Sequence, residues 1–262
     1  MRGSVRGPAP PGANQDYLVS VSDLMSGLLF IFIITLAVFA LRLVQIQQQA
    51  QEEKEKAEQQ RKELTHSQRV REDIVRQIGA ALERQNVHVE VDAAHGVVRL
   101  TNETVGFARN QAQPLAEHRA NVATIANVLL RVLRCYVVGP DRPADGCLAE
   151  RGGARVGTVM VEGHTDSLPV LGGRFRDNLE LSSARSAEVL RLMRTDAPGL
   201  AALKNAEGKP VLSVSGYGES RLFDELHPDD AANRRIDIRL LMELPVEAEP
   251  RPVGEIRTEI GP

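Results

Sequence analysis

Two stretches of this chain bring chemically useful side chains together. The first, VEGHTDSLPVLGGRFRDNLELSSARSAEVL (161–190), carries Asp166 just beyond an apolar run that ends in Gly163. Such a run reads as a strand, and it leaves Asp166 at a sheet edge. Asn178 heads a turn into an amphipathic helix with Ser182 near its start. Arg185 follows one turn inside, where its guanidinium is expected to point back toward Asp166. An acid and an arginine in one crevice can hold a zwitterion. The acid takes an ammonium, and the guanidinium takes a carboxylate through two parallel hydrogen bonds. A structural Asp–Arg salt bridge has the same signature.

The second stretch is SDLMSGLLFIFIITLAVFALRLV, Ser22 to Val44, with a carboxylate, Asp23, near its start. Its length meets the roughly 20 residues needed to cross a bilayer. A carboxylate in hydrocarbon is costly, so intramembrane acids face a protein partner or an aqueous path. Ser22, Asp23, Ser26 and Gly27 share one helical face, and small residues there permit close packing. An ion relay would use such a group; a helix-capping acid at the membrane edge is the alternative. Apolar character begins at Tyr17, which puts Asp23 almost two turns inside. A cleavable signal peptide would have a shorter apolar region followed by small residues. Here Ala-Leu-Arg-Leu-Val-Gln-Ile-Gln follows, so an uncleaved single-pass anchor is expected. Arg2 and Arg6 before the span favour a cytoplasmic N-terminus. The remainder would then lie outside the cytoplasm, where Cys135 and Cys147, which flank YVVGPDRPADG, would form a disulfide.

Other chemistries find no support. Lys and Arg total 32 against 35 Asp and Glu, and aromatic residues make up 3%, so there is neither a basic excess nor a stacking surface for nucleic acid. No phosphate-binding loop, zinc-spaced His/Cys set or Ser/His/Asp triad can be defended. We expect no metal, no cofactor and no enzymatic activity.

These features require positioning elements. Residues 1–16 are Pro/Gly-rich and are expected to be disordered. The transmembrane helix is placed at 17–44. Residues 45–85 are rich in Gln, Glu, Lys and Ala and read as a helical linker. Ala50, Ala57 and Leu64 make a thin seven-residue seam, and Ile74, Ile78 and Leu82 an apolar stripe able to dock on a folded domain. Residues 86–244 read as one domain. Strands are predicted at 87–92, 96–101, 156–163, 211–218 and 234–244, and helices at 116–133 and 181–193. That order implies an α+β fold with helices on one face of a mixed sheet. Residues 245–262, rich in Pro and Glu, are expected to be disordered.

VEGHTD, NLELSSAR and NRRIDI together resemble the peptidoglycan-binding domain shared by OmpA-like outer-membrane proteins, Pal-type lipoproteins and MotB-type motor subunits. The resemblance covers roughly Val87 to Leu244, including GFARNQAQPL. It implies that Asp166 and Arg185 grip the diaminopimelate of a wall peptide, that Asn178 lines the pocket and that Leu181 shapes it. Thr165 is a weaker candidate. Arg234 and Arg235 of the NRR segment are as readily strand-end structural residues. The long loop 167–177 and the single span with an early Asp are similar to MotB-type stators. SDLMSGLLFIFII itself resembles the MotB-like subunits of Zorya anti-phage defence systems. The resemblance implies an inner-membrane protein with a periplasmic C-terminal domain, self-dimerisation and five copies of a MotA-like multi-pass partner around two of this chain. A passive tether between membrane and wall is the alternative.

Overall fold

The computed structural model describes residues 13–138, 147 and 153–243. Helix α1 (Ala13–Glu83) takes in the apolar span and the polar run after it without a break. It starts at Ala13, so the last residues of the tail expected to be disordered are helical. An 18-residue window within it has a mean hydropathy of 2.7 and is unburied, long and apolar enough to cross a membrane. Two polar side chains of this span bond inside the helix. Ser26 Oγ donates to Ser22 O at 2.8 Å and Thr35 Oγ1 to Ile31 O at 2.7 Å, which satisfies both hydroxyls without water.

The chain divides into two compact units after Gln60. The second therefore begins inside α1, upstream of the position 86 read from the sequence. Ile74, Ile78 and Leu82 are fully buried in its core, together with Val70 and Val75. The helix stops where Asn86 takes φ 58° and Val87 N–H donates back to Leu82 O at 3.1 Å. A left-handed residue just past the last turn is how many helices end, and Asn tolerates that conformation. This cap occupies Val87, which explains why the first strand is shorter than its alternation suggests.

Among the described residues five strands follow: β1 (Glu90–Asp92), β2 (Val97–Leu100), β3 (Val156–Gly163), β4 (Leu212–Gly216) and β5 (Ile236–Met242). They form one mixed sheet ordered β1-β2-β5-β3-β4, in which only β3 and β4 run parallel. Helix α3 (Asn178–Asp196) makes the crossover between that parallel pair. Helix α2 (Arg119–Leu133) joins β2 to β3 across the insertion that contains the cysteines. Period-two alternation sends Val98, Leu100, Val159, Val161, Ile236, Ile238 and Leu240 to one face. There they pack with Ile125, Leu129 and Leu133 of α2, Val189 and Met193 of α3 and the last turns of α1. Leu190 is buried as well, whereas Ala184 and Leu192 are only half-buried. Cys135 and Cys147 are bonded, with Cα atoms 5.2 Å apart. Residues 139–146 of the loop between them and the tail from 244 lie outside the described residues.

Gly163 shows how tightly α3 sits on the sheet. A Cβ there would lie 2.1 Å from Ser182 O, a backbone atom that cannot step aside. We expect Gly163→Ala to cost about 3 kcal/mol, as overpacking a filled contact does. Chemical denaturation of the variant checks this.

The opposite face carries ions. Glu90, Arg99, Asp237, Glu162 and Ser215 stand in register across all five strands. Asp237 and Glu162 are like charges side by side, and arginines separate them. Arg99 and Arg235 reach Asp237 at 3.3 and 3.2 Å, and Arg239 Nε reaches both oxygens of Glu162 at 3.0 Å. His164 is buried beside them, stacked on Tyr217 with centroids 5.2 Å apart. Burial, and then the charges of Arg235, Arg221, Arg99 and Arg239, push its pKa down to about 3. The unfolded chain therefore takes up a proton near pH 6.5 that the folded one refuses, and stability falls as pH drops below that value. Between pH 7 and 5 this contributes a loss of about 2 kcal/mol. His164→Phe should flatten the pH dependence of the unfolding free energy by that amount.

Candidate functional site

A cleft of 280 Å³ opens beyond the carboxyl end of β3. Its lining includes Phe107, Arg109, Asn110, Thr165, Asp166, Leu168, Asn178, Leu181, Arg185 and Arg234. Asp166, Asn178, Leu181 and Arg185, the four residues to which the resemblance assigns wall binding, all line it. Sheet-like backbone bonding continues past β3 and delivers the acid. His164 N–H donates to Arg235 O at 3.1 Å and Thr165 N–H to Gly218 O at 3.0 Å, so Asp166 emerges at a fixed height. Its Oδ1 accepts from Leu168 N–H at 3.3 Å, which turns the chain into the loop before α3.

The start of α3 is equally well specified. Asp177 caps it by accepting from Glu180 N–H at 2.8 Å, and Glu180 reaches back to accept from Arg176 N–H at 2.8 Å. The first bond satisfies a donor that the first turn leaves open, and the second ties Glu180 to the residue before the cap. Asn178 then sits at the helix start, and its side-chain amide donates to Leu168 O at 3.0 Å and Asp166 O at 3.4 Å. Asn178 thus fixes the backbone that carries the acid. Leu181, buried, forms apolar wall. Ser182 Oγ accepts from Gly218 N–H at 2.9 Å and ties α3 to the turn after β4.

Arg185 does not point back to Asp166 as expected. It reaches the 107–111 loop, where Nε donates to Gln111 O at 3.0 Å and Nη2 to Ala108 O at 3.3 Å. Its guanidinium carbon lies 4.8 Å from the centroid of Phe107, within cation–π range. That loop doubles back through Asn110, at φ 56°. The residue is 2% exposed, and Nη1 has no hydrogen-bond partner. Burial lowers the pKa of Arg185 to about 10; the Asp166 charge opposes that shift and the Arg234 charge adds to it. The group remains a cation at neutral pH, held by two carbonyls and an aromatic face, with a donor to spare.

The acid instead pairs with Arg234, whose Nη1 lies 2.7 Å from Asp166 Oδ2. The NRR segment therefore contributes a cleft residue, and the sequence pattern alone did not separate that role from a strand-end one. Arg235 turns away to Asp237. Neighbouring Asn233 is buried in structural bonds, its Oδ1 accepting from Phe223 and Asp224 N–H at 2.7 and 3.0 Å. Thr165 Oγ1 is buried and unpartnered at the cleft. Asp23 lies in the other compact unit, exposed on α1.

Glu162, His164 and Asp237 bring potential metal-ligating atoms within 4.8 Å of one another. The surroundings disfavour a cation, because Arg99, Arg235 and Arg239 already neutralise both carboxylates.

Comparison with known proteins found no matching family model and no matching curated protein. Among solved structures, the chain is similar to the periplasmic domain of Helicobacter pylori MotB (residues 78–256) at a TM-score of 0.38 and 17% identity, covering 55% of this chain and 74% of that one. It is similar to a putative MotB-like protein from Desulfovibrio vulgaris at a TM-score of 0.43 and 22% identity, covering 72% and 98%. A third likeness is the cell wall anchor of the type VI secretion system of Pseudomonas aeruginosa, with a TM-score of 0.41, 21% identity and coverage of 65% and 97%.

Proposed function

We propose that this chain is a peptidoglycan-anchored stator subunit of an ion-driven motor in the bacterial inner membrane. The observation that carries the reading is the cleft. It offers a buried arginine with an unused donor beside a carboxylate, the complement of an amino acid end with ammonium and carboxylate. Diaminopimelate of the wall peptide is the ligand, held by Asp166 and Arg185, with Asn178 and Leu181 shaping the pocket. The helix α1 supplies the second half of the reading, because the same chain carries a membrane-length apolar segment with one acid in it.

In this reading the chain passes the membrane once, N-terminus inside, with the sheet domain in the periplasm. Two copies stand inside a ring of five MotA-like multi-pass subunits. Asp23 accepts an ion from outside and releases it inward, and each change of its charge alters how α1 packs against the ring. The wall holds the pair still, so the ring turns. The sequence of the span favours ZorB of the Zorya anti-phage system, with a ZorA-like ring, over a flagellar MotB. Co-sedimentation of the full chain with purified peptidoglycan tests the anchor, and phage challenge of a host carrying the complete motor tests the output. A chain that stays in the supernatant removes the reading.

A further inference from the structure

The charges of the cleft do not balance. Among the described residues Asp166 is the only acid lining it, while Arg185, Arg234 and the exposed Arg109 supply three cations. Arg109 is at the surface, where water solvates it. Arg185 is buried with an unused donor, and Arg234 already holds Asp166 at 2.7 Å. Arg234 thus fills the place that a ligand ammonium would take.

We propose that Arg234 is an internal counter-ion of Asp166 that an incoming ammonium must displace, so that the cleft selects ligand ends bearing two carboxylates and one ammonium over ends bearing one of each. This rests on the wall-peptide reading. An ammonium that takes Asp166 exchanges one ion pair for another and releases a guanidinium into a partly buried site. With a single carboxylate on the ligand, Arg185 is satisfied and Arg234 is left without an anion. A cation stranded in such a place opposes binding. A second carboxylate pairs with Arg234 and removes that penalty. The chemical class is therefore a stem-peptide end whose diamino diacid keeps both carboxylates free, as an uncross-linked tripeptide does.

The test is calorimetric, with the full chain in detergent and two probes. One is L-Ala-γ-D-Glu-meso-diaminopimelate; the other is the same tripeptide with its C-terminal carboxyl amidated. The wild type should bind the first about tenfold more tightly, the worth of one added charge-assisted pair. Arg234→Gln should bring the ratio near one and bind the amide several-fold more tightly than the wild type, because Asp166 is then free. Arg234→Lys should keep the preference. A wild-type ratio at or below one overturns the proposal whatever the variants do, and so does an unchanged ratio in Arg234→Gln. Retention on whole peptidoglycan in either case leaves the wall reading standing; no binding of peptides or peptidoglycan overturns both.

Discussion

Asp23→Asn is expected to reduce ion-driven output to background while the protein still assembles with its membrane partner. Asp23 is the only acidic residue between Val21 and Val44, so the substitution removes the only carboxylate of the span. Asparagine has nearly the same shape and can bond the same neighbours, so close packing of the Ser22–Ser26 face should survive. It cannot take up and release a proton or hold a cation by charge. The energy at stake is substantial, because one elementary charge crossing 100 mV releases about 2.3 kcal/mol. The measurement pairs phage protection, or motility if the motor is flagellar, with co-purification of the multi-pass subunits. Full activity in Asp23→Asn would end the ion-carrier role and leave a passive tether. Asp23→Glu should retain part of the activity, since the carboxylate is present but displaced by one methylene.

What was legible in the sequence follows from how local each signal is. Alternation placed Val159, Val161, Ile236 and Ile238 on one face, and the order of strands and helices fixed which face the helices cover. Strand ends were less legible. The turn at Asn86 depends on a left-handed residue closing a helix, and an alternating VHVEVD masks it. The cleft was half legible. Asp166, Asn178 and Arg185 come from one continuous stretch, so their convergence needs only a strand, a turn and a helix. Their pairing was not, because partner choice is settled by residues distant in sequence. Gln111 O, Ala108 O and Phe107 draw Arg185 away, and Arg234 arrives on the segment leading into β5, later in the chain. The ionic row on the outer face escaped notice for the same reason: Glu162 and Asp237 are ordinary strand residues until register sets them side by side.

Replacing Asp166 and Arg185 together by alanine should lower peptidoglycan binding by at least 100-fold, with the protein still folded. The two substitutions act differently. Arg185→Ala removes the buried guanidinium and the Phe107 contact, and it takes a donor from Gln111 O and from Ala108 O, the latter keeping Gln111 N–H at 3.1 Å. The loss of stability should be about 2 kcal/mol, the order carried by hydrogen bonds from a charged, buried donor. Asp166→Ala frees Arg234, so the cleft becomes more cationic; carboxylates still bind but the ammonium loses its partner. Only the double variant removes both halves of the recognition. Arg185→Lys separates charge from geometry, because a lysine keeps the cation yet cannot present two parallel donors. Its binding should lie between wild type and the double variant. Thermal melts of each variant keep unfolding apart from lost recognition. Unchanged sedimentation of the Asp166→Ala, Arg185→Ala chain with purified peptidoglycan would place the wall contact outside this cleft.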